Sequence, residues 1–248
     1  MGSDAARVLT ATDSVLCFHM RALLLILFVG SSVAAEPLFR EEFDQLDNWK
    51  PLVFPKISSH TTYSATTEGE LSILRAQSKA AASGLRHITR FDPHTYPVVS
   101  WRWKIDNTLA KGNAASKEGD DYPIRIYIIF KYAPSKAGFG KRALFRIAKA
   151  GDGEYPPGST LNYIWANRRH SRRIIPNAYT EYAQMIVLQS GGKKAGQWIT
   201  ETINILADYK AAFGESAPRE ATLAIMVDTD NTGESASSAM DFIEVRKD

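Results

Sequence analysis

Cysteine is all but missing from this chain: Cys17 is the single one among 248 residues. Beyond it there is no thiol, which excludes a disulfide framework, a catalytic thiolate and a cysteine-ligated metal from the rest of the protein. Histidine is sparse too, and His60, His87, His94 and His170 are too dispersed to read as one zinc site. Neither a serine-histidine-aspartate spacing nor a glycine-rich phosphate loop is present. Charge of one sign is also lacking: 30 basic residues against 27 acidic leave a net charge of +3, which argues against a nucleic-acid partner. Helical periodicity is scarce throughout, and no apolar run approaches the roughly 20 residues that would span a bilayer as a helix.

What is present begins at Met20. The segment MRALLLILFVGSSVAA places Arg21 before a short apolar run and then small residues up to Ala35, the three-part pattern of a secretory signal. The expectation is an exported protein, periplasmic or extracellular, with Met20 as its initiator. Residues 1–35 would be an upstream extension plus signal peptide, and residues 36–248 a single domain without a membrane span. An exported domain without disulfides must stabilise itself through core burial, aided by any ion it binds.

From Leu38 onward, short runs rich in Val, Ile, Tyr, Phe and Trp alternate with turn clusters. Strands are expected at Leu38 to Phe43, Leu71 to Ala76, Ser83 to Ile88, Val98 to Ile105, Ile124 to Tyr132, Lys141 to Ala148 and Thr160 to Ala166. Four more follow at Tyr182 to Leu188, Trp198 to Asn204, Ala221 to Asp228 and Asp241 to Arg246. One short helix, Ile205 to Phe213, should end on a cap at Gly214. Eleven short strands need two packed sheets, so the expected fold is all-β, a jelly-roll-like, galactose-binding-like sandwich. Within Val98 to Ile105, Trp101 and Trp103 share one face and Arg102 and Lys104 the other. Two indoles on one face point either into the core or at a ligand. Within Ile124 to Tyr132 the isoleucines form the core face, which leaves Arg125 and Tyr127 for another surface.

WRWK at Trp101 to Lys104, GDDYPIRIY at Gly119 to Tyr127, LNYIWA at Leu161 to Ala166 and IMVDTDN at Ile225 to Asn231 occur in that order. Together they resemble the bacterial exported family known as domain of unknown function 3047. The resemblance implies secretion and a single β-rich domain, and it carries no assigned activity. A looser resemblance is to jelly-roll carbohydrate-binding modules, where acids at the two ends of the domain often hold a structural calcium. On that likeness Glu41, Glu42 and Asp241 would be the metal ligands, against the alternative of ordinary surface acids.

Two oxygen-rich stretches invite chemistry. Asp228, Asp230, Asn231 and Thr232 end an apolar strand, suiting a hard cation, sugar hydroxyls or simply a self-capping turn. Asp120 and Asp121 precede Arg125, which suggests a buried ion pair or a catalytic carboxylate. An EF-hand is excluded, since Ala239 stands where its last glutamate belongs. Aromatic residues suit a saccharide, because a pyranose offers an apolar C–H face to a ring while amides and acids take its hydroxyls. Trp101, Trp103, Tyr127, Tyr163 and Trp165 are the candidate rings, with Asn162 and Arg125 beside them. The favoured function is therefore recognition of a saccharide or cell-envelope polymer. A polysaccharide hydrolase or lyase using Asp120, Asp121, Asp228, Asp230, Tyr163 or His170 is the first alternative, and a structural envelope protein contacting other proteins the second. Arg168, Arg169, Arg172 and Arg173 form a basic cluster, either a solvated loop or a contact for an acidic polymer.

Overall fold

Alternation of apolar and polar residues gives these strands two unlike faces, and burying the apolar faces requires a second layer. The computed structural model describes residues 36–132 and 157–248 and builds them as two packed sheets. The signal segment, the expected strand Lys141 to Ala148 and the loop before it lie outside the described residues. One sheet holds β1 (Phe39–Glu41), β3 (Thr62–Glu68), β4 (Leu71–Lys79), β6 (Val98–Ile105), β11 (Ile199–Asn204) and β13 (Ser235–Arg246). Their order is β11-β6-β13-β4-β3, with β1 pairing the far half of β13. The other sheet holds β2 (Trp49–Leu52), β5 (Ala82–Phe91), β7 (Tyr122–Phe130), β8 (Ser159–Ala166), β9 (Ile174–Pro176), β10 (Ala183–Ser190) and β12 (Ala221–Asp228). It is ordered β2-β5-β12-β7-β8-β10-β9, and among the described residues only the β8–β10 pairing is parallel. The fold is thus the two-sheet, jelly-roll-like sandwich expected from the strand spacing.

Residue parity decides what enters the core. Ile124, Ile126, Ile128 and Phe130 of β7 and Leu223, Ile225 and Val227 of β12 point between the sheets and are buried. From the other sheet come Trp101, Trp103 and Ile105. Trp101 lies 5.7 Å from Tyr163 and Trp103 lies 5.9 Å from Trp165, ring centre to ring centre, so β6 and β8 are joined across the sandwich by aromatic pairs. All four rings are 0% exposed. The expectation that Trp101, Trp103, Tyr163 and Trp165 form a ligand platform is corrected here. Aromatic rings bury more apolar area than any other side chain, and on facing strands of two sheets they are worth most to the core.

Three strands escaped the sequence pattern. Trp49–Leu52 and Ile174–Pro176 are short and proline-bearing, and both occupy edges of the seven-stranded sheet, where a missing N–H costs no ladder bond. Thr62–Glu68 is an almost wholly polar edge strand. The helix α1 (Ile205–Phe213) has the expected bounds. Asn204 caps it by accepting from the Ala207 N–H at 3.0 Å, and Gly214 closes it in the left-handed region at φ 76°.

The segment between β6 and β7 folds back over the outer face of the seven-stranded sheet. Its Ala114 joins Tyr122, Ile164, Ala166 and Met185 in a second buried apolar cluster. Asn167 holds it by accepting from Leu109 N–H at 2.8 Å and donating to the Asp121 carbonyl at 2.6 Å.

Gly84 sits where β5 passes β12, and a Cβ there would lie 2.7 Å from the Ile225 carbonyl oxygen. Backbone cannot yield as a side chain does, so Gly84→Ala should destabilise the protein by about 1–3 kcal/mol, read as a lowered midpoint in urea unfolding. An unchanged midpoint would mean that β5 and β12 can separate without cost.

Candidate functional site

Because β7, β8 and β12 send their apolar residues inward, Arg125, Tyr127, Asn162, Met226 and Asp228 are left on the outer face of the seven-stranded sheet. At the end where β7 begins and β12 stops, Asp120, Asp121, Asp230 and Asn231 join them. Asp228 and Tyr122 are cross-strand partners, and Tyr127 and Asn162 pair on the neighbouring strands. Of the twelve expected ligand residues, eight therefore occupy one face and its rim.

Arg125 is the hub. Its guanidinium contacts the Asp228 carboxylate, lies 3.9 Å from Asp120, and is flanked by the Tyr122 and Tyr127 rings at 4.8 and 5.2 Å. Asp120 accepts from the Tyr122 hydroxyl at 2.8 Å and from the Asn177 amide at 3.3 Å. Asp121 spends both oxygens on the loop after β12, accepting from the N–H groups of Asn231 at 3.3 Å and Thr232 at 2.7 Å. Asp228 also accepts from the Tyr122 N–H at 3.1 Å. Within this cluster, Nε of Arg125 and Oδ1 of Asn162 are buried without a hydrogen-bond partner among the described residues. Buried groups of this kind are normally satisfied, and a bridging water is the usual partner at such a place.

Four carboxylates crowd this end, two of them at the Arg125 guanidinium, and the electrostatics show it. Burial pushes the Asp228 carboxyl well above its ordinary range, Arg125 opposing and Asp121 and Asp120 reinforcing the rise. Asp230 is raised as well, by burial first and then by Asp121. Tyr127 and Tyr122 are pushed upward, chiefly by burial. Among the described residues, Asp121, Asp228 and Asp230 are the acids whose oxygens come together, within 4.8 Å of one another. As cation ligands they fit poorly. Asp121 is committed to two N–H groups, Asp228 faces Arg125, and a hard cation wants six or more oxygens. The set works instead as a clamp on the loop, Asp121 gripping its backbone N–H groups while Asp230 stands half-buried beside it.

The other expected metal set is not drawn together. Glu41 is tied to His87 at 3.0 Å and to Asn48 at 2.8 Å, Glu42 pairs with Arg40, and Asp241 pairs with Arg102 at 3.0 Å. Each acid has its own donor because β1 and β13 meet in a register that pairs Glu41 with Ile243 rather than with Asp241. The basic cluster also divides, Arg168 donating to the Gly112 carbonyl at 2.9 Å and Arg173 binding Asp208 at 2.6 Å. Burial and Arg168 both lower the pKa of His170.

Sequence reasoning missed Tyr179 and Asn177. Tyr179 is 54% exposed, yet its hydroxyl donates to the Lys117 carbonyl at 2.9 Å and accepts from the Asn231 amide at 2.8 Å. The ring is thus fixed in the open beside the acid cluster. Both residues lie in an irregular segment, where no periodicity could flag them.

Fold and site together define a two-sheet, jelly-roll-like β-sandwich with an acidic, tyrosine-rimmed end. By sequence, the chain belongs to the family described as Protein of unknown function (DUF3047), whose model matches residues 47–244. No curated protein matches it. Among solved structures it is similar to a family 11 carbohydrate-binding module of a cellulosomal cellulase from Clostridium thermocellum, at 10% identity and a TM-score of 0.44, over 88% of this chain and 97% of that one. It is also similar to endoglucanase 3, from family GH12, of Trichoderma harzianum, at 7% identity and a TM-score of 0.40, over 82% and 96% of the two chains.

The raised pKa of Asp230 has a defined sign. Its neutral form is favoured by folding, so the associated stability is present below the ordinary value of 3.8 and lost as pH rises through the folded value. In buffer containing a chelator, Asp230→Asn should raise the melting temperature at pH 7 and leave it unchanged near pH 3.5. A lower melting temperature at pH 7 would show that the ionised carboxylate is attracted rather than repelled at that position.

Proposed function

We infer that this protein is exported and binds a saccharide or related cell-envelope polymer at the rim of its seven-stranded sheet. The observation that carries this reading is Tyr179, an exposed ring held rigid by two hydrogen bonds next to Asp230, Asn231, Asp120 and Asn177. A sugar ring stacks its C–H face on such a phenol, and acids and amides grouped at its edge accept and donate to the hydroxyls. Pre-fixing the ring lowers the ordering cost of binding. Tyr179 takes the role that the sequence pattern gave to the buried tryptophans.

Hydrolysis needs a proton donor and a second carboxylate on opposite sides of one bond. Asp121 is occupied by the loop, Asp228 by Arg125, and Asp120 by the Tyr122 hydroxyl and the Asn177 amide, which leaves Asp230 as the carboxylate without such a commitment, so binding without cleavage is the better fit.

A thermal-shift screen of the purified protein against neutral glycans tests this, with product analysis of every hit. A ligand at about 100 times its dissociation constant adds about 2.7 kcal/mol of stability. The expected result is a glycan-dependent shift with the polymer left intact, abolished by Tyr179→Ala, which should leave the unliganded melting point near that of the parent. Persistence of the shift in Tyr179→Ala would overturn the site, and cleavage of the glycan would replace binding with catalysis.

A further inference from the structure

A second concave surface lies on the other sheet and shares no residue with the Tyr179 rim. It is a groove of about 450 Å³ at the end of β3, β4 and β13, walled by Ser59 and His60 on one side and Asn107 on the other. Thr62, Gln77 and Ser237 stand in register across the three strands, and Lys79 and Ser235 form the next row. Adjacent strands are about 4.8 Å apart and rows on one face about 7 Å, so these side chains present several donors and acceptors close together on one surface.

Two features give the groove its character. Its polar side chains are hydroxyls and amides plus Lys79 and His60, and no carboxylate lines it. Lys79 is exposed and forms no ion pair among the described residues, in a sheet whose other strand cations, Arg40, Arg75, Arg102, Lys104 and Arg246, are each bound to an acid. The floor is also rigid. Ser78 donates to the Ala81 carbonyl at 2.8 Å and is bonded to Thr61 and Thr229, while Asn107 holds β13 by donating to the Ser235 carbonyl at 2.8 Å and accepting from the Ser237 N–H at 3.2 Å. His60 donates Nε2–H to the Ile57 carbonyl at 3.1 Å, which fixes its ring in the wall.

We propose that this groove is a separate binding site for an anionic polyol, a uronate-type sugar whose carboxylate meets Lys79 and whose hydroxyls meet Thr62, Gln77, Ser235 and Ser237. A hydroxyl-rich wall satisfies a ligand that brings many donors and acceptors, and the unpaired ammonium selects one that also brings negative charge. The site stands independently of the Tyr179 rim, so either can fail alone.

Calorimetric titration of the purified protein with trigalacturonate, neutral galactotriose and inorganic phosphate tests the assignment. Trigalacturonate should bind more tightly than either comparator, and more weakly as salt is raised. Lys79→Gln should weaken it about tenfold or more, Thr62→Val with Ser237→Ala should weaken it further, and Tyr179→Ala should leave it unchanged. Lys79, Thr62 and Tyr179 are exposed and Ser237 is half-buried, and matched melting points will show that the fold is kept. The proposal is overturned if no trigalacturonate binds, if Lys79→Gln leaves its affinity intact, or if phosphate binds as well as the uronate. Loss of binding in Tyr179→Ala alone would assign the ligand to the rim and overturn the groove.

Discussion

The aromatic contacts between β6 and β8 are the constraint on which the rest of the molecule hangs. Trp101 against Tyr163 and Trp103 against Trp165 fix which parity of each strand faces inward, and a slip of one residue in either would turn the indoles out to solvent. Once Tyr163 and Trp165 are inside, Asn162 and Ile164 must be outside. The isoleucines of β7 then impose the same choice on Arg125 and Tyr127, and Val227 imposes it on Asp228. The polar face is thus the complement of the hydrophobic one, and neither was free to be chosen alone.

That complement concentrates acid. Asp120, Asp121, Asp228 and Asp230 gather round Arg125 with few other cations in reach, an arrangement that would be repulsive on an open surface. Here the repulsion is converted into shape. Backbone N–H groups absorb Asp121, the guanidinium and one N–H absorb Asp228, and a tyrosine hydroxyl and an amide absorb Asp120. What is left over, a half-buried Asp230 and a tyrosine standing in solvent, is the part of the site with capacity for something outside the protein.

How much of this was legible depended on periodicity. Val98 to Ile105, Ala221 to Asp228 and the helix with its Gly214 cap appear in the structure with the bounds that alternation and capping rules give them. The grouping of Asp120, Asp121, Arg125, Tyr127, Asn162, Asp228, Asp230 and Asn231 followed, since each was placed by strand parity or sat at a strand end. Alternation says only that Trp101 and Trp103 share a face, and cannot say whether a second sheet covers it. The supposed partnership of Glu41, Glu42 and Asp241 failed on register, a relation between strands about 200 residues apart in the chain. Tyr179 and Asn177 were invisible for a third reason, because irregular backbone carries no period to read. Lys79 was hidden in another way: its significance is the lack of an acid beside it, which is a property of three strands together.

The Asp121 clamp closes on Thr232 across 111 residues, and β1 pairs with β13 at the opposite extremes of the domain. Contacts of such separation are among the slowest for a chain to make, because the intervening loop must be closed before any of its ordering cost is returned. The rim beside Tyr179 therefore exists only once β12 has paired with β7. A chain that is truncated, clipped between these strands or caught partly folded lacks the surface altogether rather than holding a weakened copy. Possession of the binding rim is in this sense a certificate of complete folding, written by the topology of the sheet.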